Sequence, residues 1–277
     1  MRKNAVLRVG LAALAGIGVW LAWAQNPSQP LDLQKVTDNL YVIIGDGGNS
    51  AFMPTTEGVI LVDDKFAADA PQIVAKVKSV TDKPIRYVLN THQHPDHTGG
   101  NEALLAANAE IIIQKNARAN MVTGKQPGLP RITFTDESQV FLGGKEVLAR
   151  HLGRGHTNGD AVIYFPSERV LHTGDLFVVG APYCDSNSGG SIKEWDQTLQ
   201  KALQYDFDIV IPGHGPVSKR DDLVKFVSTM ATVRDRVRQA CASGAAAGEK
   251  LDFSGLGFQP STMFKSGLPG MCKELAQ

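Results

Sequence analysis

The chain has 277 residues, with 28 basic and 28 acidic side chains, so its formal net charge at neutral pH is zero. This balance excludes the strongly basic surface that is typical of nucleic-acid-binding proteins, and we expect no nucleic-acid partner. A hydrophobic share of 43% is typical of an ordinary globular core, and the length alone permits one large domain or two small ones.

The N-terminal segment has the pattern of an export signal. Arg2, Lys3 and Arg8 precede an apolar run over 9–23, and Ala22 and Ala24 are the small residues that a signal peptidase reads. The alternative is a single transmembrane anchor, but the run is shorter than the roughly 18–20 apolar residues that a span needs. We therefore predict a signal peptide over 1–24, only transient contact with the membrane, and a periplasmic or secreted protein.

The first half of the remaining chain alternates strands with helices. "LYVII" and "GVILVDD" are predicted strands on either side of the glycine-rich turn "GDGGNS". "DAPQIVAKVKSVTD" has apolar residues at helical spacing behind an aspartate cap. "IRYVLNT" and "AEIII" are predicted strands, each followed by a short helical pattern, "NEALLAAN" and "NARANMVTG".

The second half begins with consecutive antiparallel strands, predicted over 131–177. An amphipathic helix "IKEWDQTLQKALQYD", a strand "FDIVI" and a long helix "RDDLVKFVSTMATVRDRVRQA" follow. This order predicts an α+β fold in which two sheet-plus-helix halves pack as a four-layer αβ/βα sandwich. We predict one domain over 25–277, and the Gly- and Pro-rich tail after Ser243 has no assigned role.

The three cysteines are Cys184, Cys241 and Cys272. In an oxidising compartment an odd count predicts either one bridge and one free thiol or three free thiols. Cys241 and Cys272 flank the tail, so a bridge between them would hold that segment in place.

The segment "THQHPDHTGG" over 91–100 contains three of the seven histidines in the chain. It follows a predicted strand, so His92, His94, Asp96 and His97 lie in a loop at the rim of a sheet. Extended backbone directs His92 and His94 to one side, and Pro95 turns the chain so that the next two ligands face a second point. A folded core does not need this cluster, whereas a metal ion does.

Three more polar residues occupy similar positions at strand ends. His156 lies in "GRGHTNGD", His214 in "IPGHGP" and Asp175 in "LHTGDLF". Each is weak evidence alone, since a single loop histidine is more often a surface residue, but together with the cluster they predict one metal site. His151 and His172 stand outside this set and are interpreted as strand residues, although His172 could support a ligand. Cys184 is interpreted as a small buried residue.

With these motifs, the chain resembles the metallo-β-lactamase-fold superfamily of hydrolases over nearly all of its length after the signal. The resemblance implies that His92, His94 and His156 bind one zinc ion. It also implies that Asp96, His97 and His214 bind a second, with Asp175 bridging the two. The segment "VDD" over 62–64 matches the family as well, which implies that Asp63 braces the ligand loop from beneath. For Asp160 we expect only a supporting role.

Imidazole and carboxylate ligands are typical of zinc, and a site with an open position favours catalysis over a structural role. Two zinc ions about 3.5–4 Å apart can lower the pKa of a shared water to around 7. We therefore expect a metal-bridging hydroxide, oriented by Asp96, to attack the carbonyl carbon of a small-molecule substrate. Iron is disfavoured, because oxygen-reducing members of the family carry Glu where this chain has His94.

The fold does not name the substrate, which we expect to be a lactone, thioester, ester or β-lactam. The commonest subclass of zinc β-lactamases has cysteine at the position of Asp175, which disfavours a true β-lactamase but leaves it as the alternative. Glyoxalase II-like enzymes carry a sizeable C-terminal helical domain, and the short tail here is a poor candidate for one. A non-catalytic zinc-binding protein and an iron persulfide dioxygenase are further alternatives.

Overall fold

A computed structural model describes residues 29–277. The predicted signal peptide over 1–24 lies outside the described residues, and no helix within 29–277 combines the length and the hydropathy that crossing a membrane requires. The strands are β1 (Asp32–Lys35), β2 (Tyr41–Ile44), β3 (Ser50–Pro54), β4 (Val59–Val62), β5 (Ile85–Asn90), β6 (Glu110–Gln114), β7 (Ile132–Phe134), β8 (Glu137–Leu142), β9 (Lys145–Arg150), β10 (Val162–Phe165), β11 (Val170–His172), β12 (Ile209–Ile211) and β13 (Ser218–Lys219).

The α-helices lie between these strands and in the C-terminal part of the chain. They are α1 (Ala70–Lys78), α2 (Pro95–Thr98), α3 (Asn101–Ala106), α4 (Lys115–Thr123), α5 (Trp195–Ala202), α6 (Arg220–Cys241), α7 (Ala247–Lys250), α8 (Thr262–Ser266) and α9 (Leu268–Leu275). Short 3-10 turns occupy Ala67–Asp69, Pro166–Glu168, Gly174–Leu176, Ser186–Ser188 and Gly244–Ala246.

The strands form two sheets. The first has the order β1-β2-β3-β4-β5-β6-β7, antiparallel up to β4 and parallel from β4 to β7. The second has the order β13-β12-β11-β10-β9-β8, in which only β11 and β12 are parallel. In parallel pairs, the carboxyl ends of neighbouring strands meet at one edge, so the loops that follow them also lie together.

The two sheets pack face to face around a central core. Val42 and Ile60 of the first sheet share this core with Val147 and Ile163 of the second, and all four side chains are fully buried. A separate cluster packs α1 and α3 on the outer face of the first sheet, through residues such as Ile73. Another packs α5, α6 and the C-terminal segment on the outer face of the second sheet. The predicted α+β four-layer αβ/βα sandwich is confirmed.

Three local predictions were wrong or incomplete. The segment Ser50–Pro54, which begins at the last residue of the turn "GDGGNS", forms strand β3, and the sequence analysis did not predict it. Strand β7 pairs in parallel with β6, so it belongs to the first sheet and not to the antiparallel run of the second. Asp69 does stand at the start of α1, but its buried carboxylate accepts no capping hydrogen bond from the helix.

The C-terminal segment is ordered by a disulfide and by apolar packing. Cys241 at the end of α6 is bonded to Cys272 in α9, with their Cα atoms 5.4 Å apart. Phe264 and Met271 are buried in the outer cluster of the second sheet. Cys184 is free and fully buried, as interpreted from the sequence. This segment is therefore part of the core of the second half.

Candidate metal centre

The predicted ligands come from four loops at one edge of the two sheets. The segment with His92 and His94 follows β5, whose parallel neighbours are β4 and β6. Asp175 follows β11 and His214 follows β12, which are parallel to each other. His156 precedes β10, and because β10 runs antiparallel to β11 its start lies at the same edge. Strand direction therefore places the loops with His156, Asp175 and His214 at one edge of the second sheet, and the packing of the two sheets brings the loop after β5 beside them.

Three histidines face one point. His94 Nδ1 lies 3.1 Å from His92 Nε2 and 2.8 Å from His156 Nε2. Zinc–nitrogen bonds of 2.0–2.1 Å in a tetrahedron place neighbouring nitrogens about 3.3 Å apart, close to these separations. His92 and His156 are buried, while His94 is partly exposed.

The hydrogen bonds behind these rings determine which nitrogen carries the proton. His94 Nε2 donates to Asp185 Oδ2 at 3.0 Å, and His156 Nδ1 donates to the Tyr183 carbonyl at 2.6 Å. His92 Nδ1 faces Thr91 Oγ1 at 3.1 Å, and that hydroxyl donates its own proton to a carboxylate, so it accepts from the ring. Each ring therefore turns an unprotonated nitrogen toward the other two.

Three converging lone pairs repel one another unless a cation lies between them. The tautomer of each histidine follows from its hydrogen bonds. In these tautomers no proton lies between the nitrogens of His94 and His156, 2.8 Å apart, or between those of His94 and His92, 3.1 Å apart. The three-histidine set, defined as His92, His94 and His156, therefore fits a divalent metal and does not fit a hydrogen-bonded polar cluster.

A second set, defined as Asp96, His97 and His214, lies beside the first. His97 Nε2 is 3.5 Å from Asp96 Oδ2 and 3.2 Å from Asp175 Oδ1. His214 Nε2 is 3.2 Å from Asp96 Oδ2 and 3.4 Å from Asp175 Oδ1. Asp175 also directs Oδ2 toward His156 Nε2, at 3.6 Å. The two oxygens of Asp175 thus face the two sets, as a bridging carboxylate requires.

The second set also fits a cation. His97 Nδ1 donates to Asp63 Oδ2 at 2.7 Å, so Nε2 is the ring nitrogen that faces the carboxylates of Asp96 and Asp175. That Nε2 and Asp175 Oδ1 are both buried, and neither has a hydrogen-bond partner among residues 29–277. Buried polar atoms are almost always paired, so these two atoms point to a bound ion. Ligand atoms of Asp96, His97 and His214 all lie within 4.8 Å of one another, as do those of the three-histidine set.

The two sets differ in their electrostatics. Burial lowers the pKa of His92 well below its usual value and that of His156 to about 4, so these rings stay neutral. Burial opposes the charged form of His214, but the carboxylates of Asp175 and Asp96 outweigh it and raise its pKa to about 9. The carboxylates therefore give the second set a strong preference for positive charge, which a divalent metal satisfies.

Asp63 supports the ligand loop from beneath. It is fully buried and accepts hydrogen bonds from the Thr91 amide at 2.8 Å, the Thr91 hydroxyl at 2.7 Å and His97 Nδ1 at 2.7 Å. Asp160 lies next to the other ligand loop, where its carboxylate accepts from the Thr157 amide and hydroxyl. Burial raises the pKa of Asp160 to about 7. Both aspartates lie where the sequence analysis expected supporting residues.

Several supporting contacts escaped the sequence analysis. Asp185 and the Tyr183 carbonyl hold His94 and His156, and no periodicity links them to ligands 91 and 27 residues away. Asn49 donates to the carbonyls of Pro212 and Gly215 on either side of His214, at 2.9 Å and 2.8 Å. The sequence signal that could have identified these residues is that Asn49 and Asp185 each lie in a loop that contains glycine.

The turn before β3 is held against the ligand loop by a buried lysine. Lys65 Nζ donates to the carbonyls of Gly48 at 2.6 Å and Asp46 at 3.2 Å, and burial lowers its pKa to about 8. The Gly48 amide in turn donates to the Asp96 carbonyl at 3.0 Å. A Cβ atom on Gly48 would lie 2.1 Å from His97 Cε1, so the ring of His97 requires glycine at that position.

The two remaining histidines lie outside the metal-facing sets. His151 Nδ1 donates to the Asp160 carbonyl at 2.7 Å. His172 is buried in β11, where its Nε2 donates to the Asn49 carbonyl at 3.1 Å and its Nδ1 accepts from the Gly174 amide. His172 therefore holds the Asn49 segment.

Comparisons with known proteins agree with this geometry. A model of the metallo-beta-lactamase superfamily matches residues 43–214, which include every predicted ligand. A metallo-beta-lactamase type 2 from Elizabethkingia meningoseptica is 25% identical over 237 residues, covering 77% of this chain and 88% of that protein. A probable hydroxyacylglutathione hydrolase from Schizosaccharomyces pombe is 30% identical over 195 residues, covering 67% of this chain and 70% of that protein.

Solved structures share the fold. A metallo-beta-lactamase from Pontibacter korlensis superposes with a TM-score of 0.66 at 21% identity, covering 73% of this chain and 99% of that one. The family match spans more than half of the chain, and the relatives named above are hydrolases. Together with the histidine and aspartate cluster, these findings establish that the chain belongs to the metallo-beta-lactamase superfamily of hydrolases and carries its site for divalent metal.

Proposed function

We propose that the protein is a dinuclear zinc hydrolase that acts on the carbonyl group of a small molecule. The observation that carries this proposal is the position of Asp175, whose two oxygens face the three-histidine set on one side and His97 and His214 on the other. A structural or storage site has no need of two adjacent sets that share a carboxylate. Imidazole and carboxylate donors favour zinc over calcium or magnesium.

Zinc ions held by these residues would lower the pKa of the attacking water toward neutrality and would polarise the substrate carbonyl. The protein contributes position and proton transfer. Asp96 directs Oδ2 toward His97 and His214, which leaves its other oxygen to accept a hydrogen bond from the attacking water and to hold its proton. Asp63 and Asp185 keep the rings of His97 and His94 in the tautomer that binds a cation.

The neighbouring surface suits a substrate with an uncharged acyl portion. Val179 is 47% exposed, and its amide donates to the His214 carbonyl at 2.9 Å, so it lies at the edge of the second set. Tyr183 is half-buried, with its ring centroid 6.2 Å from that of His94 and 5.6 Å from that of His156. The segment over 176–184 carries no basic side chain. Lactones, thioesters and esters match this surface.

A true β-lactamase is the second candidate. The observation in its favour is the likeness to the Elizabethkingia meningoseptica enzyme, of which the alignment covers 88%. The aspartate at position 175, where the commonest zinc β-lactamases carry cysteine, weighs against it.

The test combines metal analysis with a hydrolysis panel. Purified protein is expected to hold two zinc ions per chain, and the panel compares a chromogenic cephalosporin, a homoserine lactone and a thioester. Asp175→Asn is expected to abolish turnover, and Asp206→Asn, which alters an exposed carboxylate paired with Arg169, serves as the matched control. One iron ion per chain would refute the proposal, and two zinc ions without turnover of any substrate would favour the zinc-binding alternative.

We also propose that the protein is exported and acts in the periplasm or outside the cell. Support comes from the basic and apolar pattern over 1–24 and from the disulfide between Cys241 and Cys272, which is typical of oxidising compartments. N-terminal sequencing of the protein recovered from its native host is expected to begin at Gln25. A mature chain that still begins at Met1 would contradict the predicted cleavage.

A further inference from the structure

We propose that the C-terminal tail, defined as residues 244–277, positions the three-histidine set for metal binding, and that Glu274 is the residue through which it acts. The inference rests on the proposed zinc function. It assigns a role to a segment that the superfamily match, which ends at residue 214, does not include.

Glu274 connects the tail to both sides of the set. Its Oε1 accepts from Ser191 Oγ at 2.5 Å and from Arg154 Nη2 at 3.2 Å, and its Oε2 accepts from the Lys193 amide at 3.4 Å. Its side chain is 17% exposed, so water competes little for these contacts. One carboxylate thus joins the segment before His156 to the segment after Asp185.

The residues that Glu274 holds are one step from the ligands. The Ser191 amide donates to the Gly155 carbonyl at 2.8 Å, next to His156. The Asp185 amide donates to the His156 carbonyl at 2.9 Å, and the Gly190 amide donates to the Asp185 carbonyl at 2.8 Å. Displacing the segment over 183–191 would therefore move both the Asp185 carboxylate on His94 and the Tyr183 carbonyl on His156.

The tail also lies directly against that segment. Ser186 Oγ donates to the Gly267 carbonyl at 3.2 Å. A Cβ atom on Gly267 would lie 2.9 Å from the Cys184 carbonyl oxygen, and one on Gly270 would lie 2.4 Å from Ser186 Oγ. Contacts this close leave no room for the segment to move toward the tail.

The tail itself is fixed at the point where it acts. Cys272, two residues before Glu274, is bonded to Cys241 at the end of α6. Leu268 and Met271 are buried in the same helix, α9. The disulfide and the apolar packing therefore set the position of the Glu274 carboxylate, and through it the position of two outer hydrogen-bond partners of the three-histidine set.

The test measures zinc affinity by competition with a chromophoric chelator, alongside thermal unfolding of the metal-free protein. Glu274→Ala is expected to lower the zinc affinity of the three-histidine set by roughly tenfold, the low end of the range for groups that orient metal ligands. Glu274→Gln keeps an acceptor for Ser191 and is expected to restore part of the affinity. Arg236→Ala is the matched control, since Arg236 donates to the carbonyls of Asp252 and Ser254 elsewhere in the tail.

The outcomes separate this inference from the proposed function. Weaker zinc binding in Glu274→Ala but not in Arg236→Ala supports the positioning role. Equal affinity in wild type and Glu274→Ala, or an equal loss in Glu274→Ala and Arg236→Ala, overturns it while leaving the zinc site intact. If wild type binds no zinc, the proposed function fails first. Should Glu274→Ala not fold, Ser191→Ala removes one donor to the carboxylate, and unchanged zinc affinity in that variant would overturn the inference.

Discussion

Replacing Asp63 by asparagine would change the charge and the hydrogen-bond pattern beneath the ligand loop with little change in shape. Asp63 accepts three hydrogen bonds, from the Thr91 amide, the Thr91 hydroxyl and His97 Nδ1. Asparagine keeps one oxygen for the Thr91 amide but presents an NH₂ group where Oδ2 lay. His97 can then pair with it only by accepting at Nδ1, which moves its proton to Nε2.

The structure sets the size of both effects. Two hydrogen bonds of 2.7 Å to a fully buried carboxylate are altered, so the metal-free protein is expected to lose about 1–3 kcal/mol of stability. A proton on Nε2 occupies the lone pair that faces Asp175 and Asp96. The second set is therefore expected to bind zinc about 10–100-fold more weakly, while the three-histidine set keeps its affinity.

The assay titrates wild type and Asp63→Asn with zinc against a competing chelator and measures urea unfolding of both metal-free proteins. Asp196→Asn is the control, because Asp196 is a buried carboxylate paired with Arg234 outside the site. It is expected to lose stability and to keep both zinc ions. Two zinc ions of unchanged affinity in Asp63→Asn would refute the tautomer argument, even if the variant were less stable.

Three further predictions concern buried positions. The methyl group of Gly48→Ala would push against His97, so we expect the protein to lose about 1–3 kcal/mol of stability and most of its turnover. Gly248→Ala is the control, since no atom lies closer than 3.8 Å to its added Cβ, and it should lose neither stability nor turnover. Burial lowers the pKa of His172 to about 4, below its unfolded value near 6.5, so its contribution to stability is complete above pH 6.5 and lost as the pH falls. Between pH 6.5 and 4, urea unfolding should therefore show that wild type loses up to about 3 kcal/mol more stability than His172→Gln. An equal loss of stability in the two proteins would contradict this. Burial also raises the pKa of the Cys184 thiol, so iodoacetamide should label it only in urea, and labelling of the native protein, read by mass spectrometry, would be inconsistent with the fold.

The candidate ligands could be selected from the sequence because each leaves a local signal. Four of them lie within six residues, and His156, Asp175 and His214 each stand beside an apolar strand. Strand direction and the packing of the two sheets then bring them together, and the order of strands and helices predicted that packing. The fold class follows from the order of strands and helices along the chain.

The supporting residues were not predictable, because their partners are set by the packing of loops. Asp185 reaches His94 across 91 residues, and Asn49 reaches Gly215 across 166. Strand β7 was assigned to the wrong sheet because three residues carry no information about which neighbour they pair with. The Gly and Pro content of the tail predicted no packed structure, but the tail packs through the buried residues Phe264 and Met271.

A crystal structure of the zinc-loaded protein, with anomalous scattering recorded at the zinc absorption edge, tests the central claim most directly. The account predicts two zinc peaks about 3.5–4 Å apart, with Asp175 between them. One peak should lie among His92, His94 and His156, and the other among Asp96, His97 and His214. A single peak, or peaks away from these side chains, would contradict it.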